Sequence, residues 1–166
     1  MKTEPIDALE MLEQQHRAAE RLFAELAEGP DGAAFRRTFL ELADMLAMHS
    51  TIEERHFYPA VKAADTEREL EEFVQAHLEV KRTLATLLET SQADPNLMGE
   101  TEELEGLVDD HVLEEERQLF PKVRKLLSRE ELVDIAQQMM STMAELEEEG
   151  EPRQHVADET DAPAPI

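Results

Sequence analysis

Residues 49–62 read HSTIEERHFYPAVK, and residues 111–124 read HVLEEERQLFPKVR. The two stretches align without gaps. They share His49/His111, Glu53/Glu115, Glu54/Glu116, Arg55/Arg117, Pro59/Pro121 and Val61/Val123, with an aromatic pair at Tyr58/Phe120. In each, a histidine and a glutamate stand four residues apart, which stacks the two side chains on one face of an α-helix. A further histidine precedes each block at nearly equal distance, His16 by 33 residues and His77 by 34. The chain therefore reads as two helix pairs related by a pseudo-twofold, each carrying one His and then His-x3-Glu.

Working outward, apolar residues recur at helical spacing through most of the chain. A first helix over 4–28, opened by Thr3–Glu4–Pro5, carries Leu9, Leu12, Ala19, Phe23 and Leu26. Gly29-Pro30-Asp31-Gly32 is a turn by composition. A second helix spans 33–64 with Phe35, Phe39, Leu42, Leu46 and Ala60 inward, and a third spans 67–91, capped by Asp65 or Thr66. Asp94-Pro95-Asn96 interrupts the pattern before a fourth helix over 97–127. Ser128-Arg129-Glu130-Glu131 is a capping box and starts a fifth over 129–149. No strand pattern occurs, and the connections are short. The expected fold is all-α: an up-down-up-down antiparallel four-helix bundle over about 4–127 with an additional C-terminal helix, one domain over 1–149. Residues 150–166 are polar, proline-rich and aperiodic, and are expected to be a disordered tail.

Composition narrows the chemistry. Sixteen Lys and Arg against forty Asp and Glu give a net charge of −24, which argues against nucleic acid and anionic membrane as partners. With no cysteine there are no disulfides, thiolate metal sites, cysteine-ligated iron–sulfur clusters or cysteine nucleophiles. No signal-peptide core or membrane span is read, so the expected location is cytoplasmic. The chemistry must rest on His, Asp and Glu.

Five of the six histidines fall on the apolar stripes. His16 lies on the first, His49, Glu53 and His56 on the second, His77 and Lys81 on the third, and His111 and Glu115 on the fourth. A single histidine on an apolar face is commonly a satisfied core residue. Five of them beside two glutamates need another account, because a buried carboxylate without a partner costs several kcal/mol. Lys81 alone cannot neutralise two carboxylates and also satisfy the imidazoles, whereas a pair of divalent cations can. Imidazole nitrogen and carboxylate oxygen suit iron, manganese or zinc. At roughly 1.5 Å per residue, the distances of these residues from their turns bring all four helices' ligands to one layer.

The pattern H–HxxxE–H–HxxxE, matched by His16, His49, Glu53, His77, His111 and Glu115, with EExxxxP matched twice, resembles the hemerythrin-like, or HHE cation-binding, domain family. The resemblance spans about residues 4–127. It implies a four-helix bundle holding two non-haem irons, oxo- or hydroxo- and carboxylate-bridged, with Glu53 and Glu115 bridging and the histidines capping each iron. No haem or iron–sulfur cluster is implied. The oxygen-carrying hemerythrins have HxxxH on the third helix, where this chain follows His77 with Lys81, and a more distant aspartate where it has Glu115. The lost histidine argues against simple oxygen carriage and for an iron that also reacts.

His56 and Tyr58 are further candidates. His56 could supply the missing ligand or pack behind the ligands, as Gln118 at the equivalent repeat position suggests. Tyr58 could hydrogen-bond into the site, ligate iron or simply pack. The ferritin-like pattern of two Glu-x-x-His motifs is met only once, by Glu53 and His56, and the HExxH of zinc hydrolases is absent. Two functions follow from the resemblance. One is a protein that binds or senses oxygen or nitric oxide, or handles iron. The other is a di-iron enzyme that decomposes peroxide, reduces nitric oxide or assists repair of damaged iron centres.

Overall fold

The computed structural model describes residues 4–166, whose regular elements are all helical, with no strand among the described residues. Helix α1 spans Ala8–Ala27, α2 Gly32–Ile52, α3 Tyr58–Val61, α4 Glu67–Glu89, α5 Leu97–Glu114, α6 Phe120–Leu126 and α7 Arg129–Glu149. Five-residue π turns, Glu53–Phe57 and Glu115–Leu119, join α2 to α3 and α5 to α6. Pro152–Glu159 forms a 3₁₀ helix at the end of the chain.

Local sequence accounts for most of the boundaries. Helix α1 begins at Ala8 and not at Glu4, because Asp7 and Glu10 form a capping box there, each side chain accepting from the other's backbone N–H. Thr3, placed at the opening of this helix from the sequence, lies outside the described residues. Gly29, at φ 68°, takes the left-handed conformation that ends α1. Asp31 caps α2 through the Ala34 N–H. Ser128 and Glu131 form the capping box of α7. Such caps each contribute about 1 kcal/mol. Thr66 precedes α4 without capping it, its hydroxyl donating instead to the Val61 carbonyl at 2.8 Å.

The π turns arise from the repeated proline. In an α-helix the N–H at position 59 would bond the carbonyl of residue 55, and proline has no N–H and a ring that crowds that carbonyl. The wider turn before each proline relieves this: the Tyr58 N–H bonds the Glu53 carbonyl and the Phe120 N–H the Glu115 carbonyl.

Buried apolar residues form two clusters. One gathers Leu9, Leu12, Ile52, Phe57, Leu70 and Phe73 with Leu119 and Val123, and the other gathers Phe23, Leu26, Phe39, Leu42, Leu84 and Leu104. Helix α1 runs from the first cluster to the second, α2 from the second to the first, α4 from the first to the second, and α5 continued by α6 runs back again. At each crossing the apolar stripe is interrupted by buried polar residues: His16, then His49 and Glu53, then His77 and Lys81, then His111 and Glu115. These interruptions share one level and make a polar layer between two apolar ends.

The last segment is ordered, contrary to the disordered tail expected from composition. Gly150, at φ 135°, turns the chain off α7, and Pro152–Glu159 packs against α2 and α4 with Pro152 and Val156 buried. A 3₁₀ helix has a period of three, so a search for helical periodicity at 3.6 does not register it.

Candidate metal centre

The layer brings together all six residues of the repeated motif. Atoms of His16, His49, Glu53 and Glu115 lie within 4.8 Å of one another, and so do atoms of Glu53, His77 and His111. Glu53 belongs to both groups. Its Oε2 is 3.4 Å from His49 Nε2 and 3.0 Å from His77 Nε2, while Glu115 Oε2 is 3.5 Å from both His16 Nε2 and His111 Nε2. Each glutamate thus faces the histidine four residues before it and the lone histidine of the opposite repeat. The pseudo-twofold legible in the sequence is realised by this exchange across the layer.

The residues behind the histidines aim them. Histidine Nδ1 donates to Glu116 Oε1 from His16 at 2.8 Å, to Glu54 Oε1 from His77 at 2.9 Å and to Gln15 Oε1 from His49 at 2.7 Å. A proton held on Nδ1 leaves Nε2 with its lone pair directed inward, the tautomer that a metal requires. Glu54 and Glu116 are the residues directly after the two central glutamates. Glu54 also receives both carboxylate contacts of the buried Lys81 ammonium, at 3.0 and 2.9 Å, and Arg17 reaches Glu116 at 2.6 Å. The sequence paired Glu54 with Glu116 in the repeat without assigning them a role. Their partners come from the opposite helix pair, which spacing along the chain does not reveal.

The layer carries an excess of unsatisfied acceptors. His16 Nε2, His49 Nε2, Glu53 Oε1 and both carboxylate oxygens of Glu115 are buried without a hydrogen-bond partner. One such group costs about 1–3 kcal/mol, and folded proteins keep few of them. Here five are directed into one small volume, and a cation is the partner that satisfies them together. Burial and the adjacent Glu115 carboxylate raise the Glu53 carboxyl to about 8. Burial would lower His16 and His77, but the surrounding carboxylates outweigh it and raise each to about 9. His111 is lowered to about 3, by burial first and then by His77. These opposed shifts record charges of both signs crowded together in a dry layer: carboxylates raise His16 and His77, while burial and like charge raise Glu53 and lower His111.

Tyr58 enters the site, and His56 does not. The Tyr58 hydroxyl donates to Glu53 Oε2 at 3.2 Å and stands 3.3 Å from His77 Nε2 and 3.5 Å from His111 Nε2. Its ring stacks on His77 as Phe120 stacks on His16. The aromatic pair of the repeat therefore occupies equivalent positions, and only one member carries a hydroxyl. His56 lies outside the layer, where its Nε2 is 2.6 Å from Thr142 Oγ1 on α7. The π turn explains both placements. A wider turn stacks residue i over i+5, so Glu53 meets Tyr58, while His56 rotates off the inward face and Ala60 is exposed.

Beside the histidines lies a cavity of about 30 Å³. It is walled by the four histidines of the layer and by Leu84, Val108, Val112 and Val156.

The fold and this layer define a helical bundle built around a cation-binding centre. The chain matches the hemerythrin HHE cation-binding domain over residues 7–123, and it belongs to that family. A hemerythrin HHE cation-binding domain-containing protein of Mycobacterium kansasii has a similar structure, with a TM-score of 0.76 and 25% sequence identity, covering 87% of this chain and 89% of that one. A protein described as a DNA nickase from Nostoc is 26% identical over 139 residues, 84% of this chain but 40% of the relative's length. Among the described residues, no helix is long and apolar enough to cross a membrane.

Proposed function

We propose that the chain is a di-iron protein that binds oxygen or nitric oxide for sensing or iron handling. His16 and His49 would hold one iron, His77 and His111 the other, and Glu53 and Glu115 would bridge. The observation that carries this reading is the sharing of each glutamate between two histidines, one from either repeat, with unsatisfied acceptors on both glutamates and on His16 and His49, and with His77 Nε2 and His111 Nε2 facing each other at 3.0 Å. Two divalent cations balance two buried carboxylates and use every inward nitrogen, whereas one cation held by His16, His49 and the carboxylates leaves the facing nitrogens of His77 and His111 unused. Iron bound there would supply a redox-active centre with affinity for diatomic ligands.

The chain's own residues shape the surroundings of that ligand. The apolar wall of Leu84, Val108 and Val112 disfavours bulk water beside the layer. Glu54, Glu116 and Gln15 keep three imidazoles in the correct tautomer, and Lys81 neutralises Glu54. A second reading, decomposition of peroxide or reduction of nitric oxide, is favoured by Tyr58, which places a hydroxyl hydrogen-bond donor on the His77 side and has no counterpart at Phe120. The DNA-directed activity named for the Nostoc relative is not carried over. This chain spans 40% of that protein, and its charge of −24 opposes contact with phosphates.

Elemental analysis of protein purified without a histidine tag tests the reading. About two irons per chain are expected, and one zinc, or no metal after anaerobic iron loading, would overturn it. Reversible oxygen or nitric oxide binding without turnover then supports the first function, and many turnovers with peroxide the second.

A further inference from the structure

The 3₁₀ segment Pro152–Glu159 presents three side chains to the bundle, and its period of three puts Arg153, Val156 and Glu159 on one face. Arg153 binds Asp44 on α2, its backbone N–H donating at 3.0 Å and its guanidinium at 2.5 Å. Glu159 reaches Lys81 on α4 at 3.8 Å. Between these two anchors Val156 is fully buried and forms part of the cavity wall beside the histidines. Its neighbours His155 and Ala157 are exposed, so the segment meets solvent on its outer face and the cavity through Val156 on its inner one. Further along, Arg82 donates to the Thr160 carbonyl at 2.9 Å, holding the following residues to α4. None of this segment falls within the residues matched to the family, 7–123.

We propose that the C-terminal segment is the outer wall of the ligand chamber and that Val156 sets the size of molecule that reaches the metal layer. A cavity of about 30 Å³ admits a molecule of two heavy atoms. The class of ligand is thus a small diatomic, and anything the size of an amide or larger is excluded while the segment is docked. The wall also touches the layer's hydrogen bonds: Glu159 meets Lys81, which holds Glu54, which orients His77. The wall is held from outside the bundle, by the Arg153–Asp44 and Glu159–Lys81 ion pairs, the Arg82–Thr160 hydrogen bond and the buried Pro152 and Val156. It can therefore be displaced without unfolding the bundle. The proposal rests on the metal-centre reading for its ligand, but the wall itself is testable without metal.

Tyr58 makes that test direct. It is the single tyrosine in a chain without tryptophan, and it contacts His77 and His111, which line the chamber. Its fluorescence in the full-length, metal-stripped protein reports access to the layer. Dioxygen should quench it readily in the parent and acrylamide hardly at all. Val156→Gly, and a chain ending at Gly150, should each raise acrylamide quenching several-fold, while Val156→Phe should lower quenching by dioxygen. Leu26→Ala, which loosens the same apolar cluster at a residue that does not line the chamber, is the control for general destabilisation and should leave acrylamide quenching at the parent level under conditions where the protein is folded. Acrylamide quenching as strong in the parent as in Val156→Gly, or an equal rise in Leu26→Ala, would overturn the proposal. In metal-loaded protein, Val156→Gly should also speed extraction by a bulky chelator several-fold, and an unchanged rate there would count against it. If the quenching pattern holds and no metal binds, the wall stands and the di-iron reading falls.

Discussion

Glu53→Gln separates the cost of the central carboxylate from its use. In metal-stripped protein, burial and the neighbouring Glu115 raise the Glu53 carboxyl from 4.5 to about 8. A carboxyl whose folded pKa is raised stabilises the fold fully below 4.5, in its protonated form, and loses that contribution as pH rises to about 8. At about 1.4 kcal/mol per pKa unit, the loss over this window is about 5 kcal/mol. Glutamine keeps the shape and cannot ionise, though an amide left short of partners returns about 1–3 kcal/mol of that gain. His16 and His77, both raised to about 9, supply less compensating charge as the pH approaches that value. Metal-stripped Glu53→Gln should therefore be more stable than the parent at pH 9, by about 2 kcal/mol or more, and no more stable at pH 5. Urea unfolding followed by far-UV circular dichroism at the two pH values measures the difference, and elemental analysis of the loaded variant should show lost metal. Equal destabilisation at pH 5 and pH 9 would refute the reasoning, because it would mean that charge in the layer carries no penalty for a cation to relieve.

Three other substitutions probe separate parts of the site. His111→Ala should reduce the metal content by about one per chain while the helical circular dichroism is retained, since the two apolar clusters hold the helices independently of the layer; unchanged metal content would remove His111 from the ligand set. His56→Ala should leave metal content unchanged and cost about 1 kcal/mol in urea unfolding, the value of one hydrogen bond to Thr142. Glu54→Ala should weaken metal binding about 10–100-fold in competition with a chelator, because His77 loses the acceptor that fixes its tautomer. An effect no larger than that of His56→Ala would show that Glu54 serves Lys81 alone.

The sequence by itself determined the helical class, the repeat and the convergence of His16, His49, Glu53, His77, His111 and Glu115. These depend on local regularities: a 3.6-residue period, a four-residue His–Glu spacing and the distance of each motif from its turn. Asp7, Asp31 and Ser128 are legible for the same reason, since a cap acts within three residues of itself. Only the tertiary structure decided the rest. A constant helical period carried His56 inward along with Ala60, whereas the π turn that relieves Pro59 rotates the chain and brings Tyr58 into the layer instead. Glu54 and Glu116 acquire their roles from histidines on the opposite helix pair, contacts that exist only once the repeats are packed together. The C-terminal segment has too little apolar surface to fold alone. It orders because the bundle supplies Asp44, Lys81 and an apolar recess for Val156, all distant in sequence and adjacent only after folding.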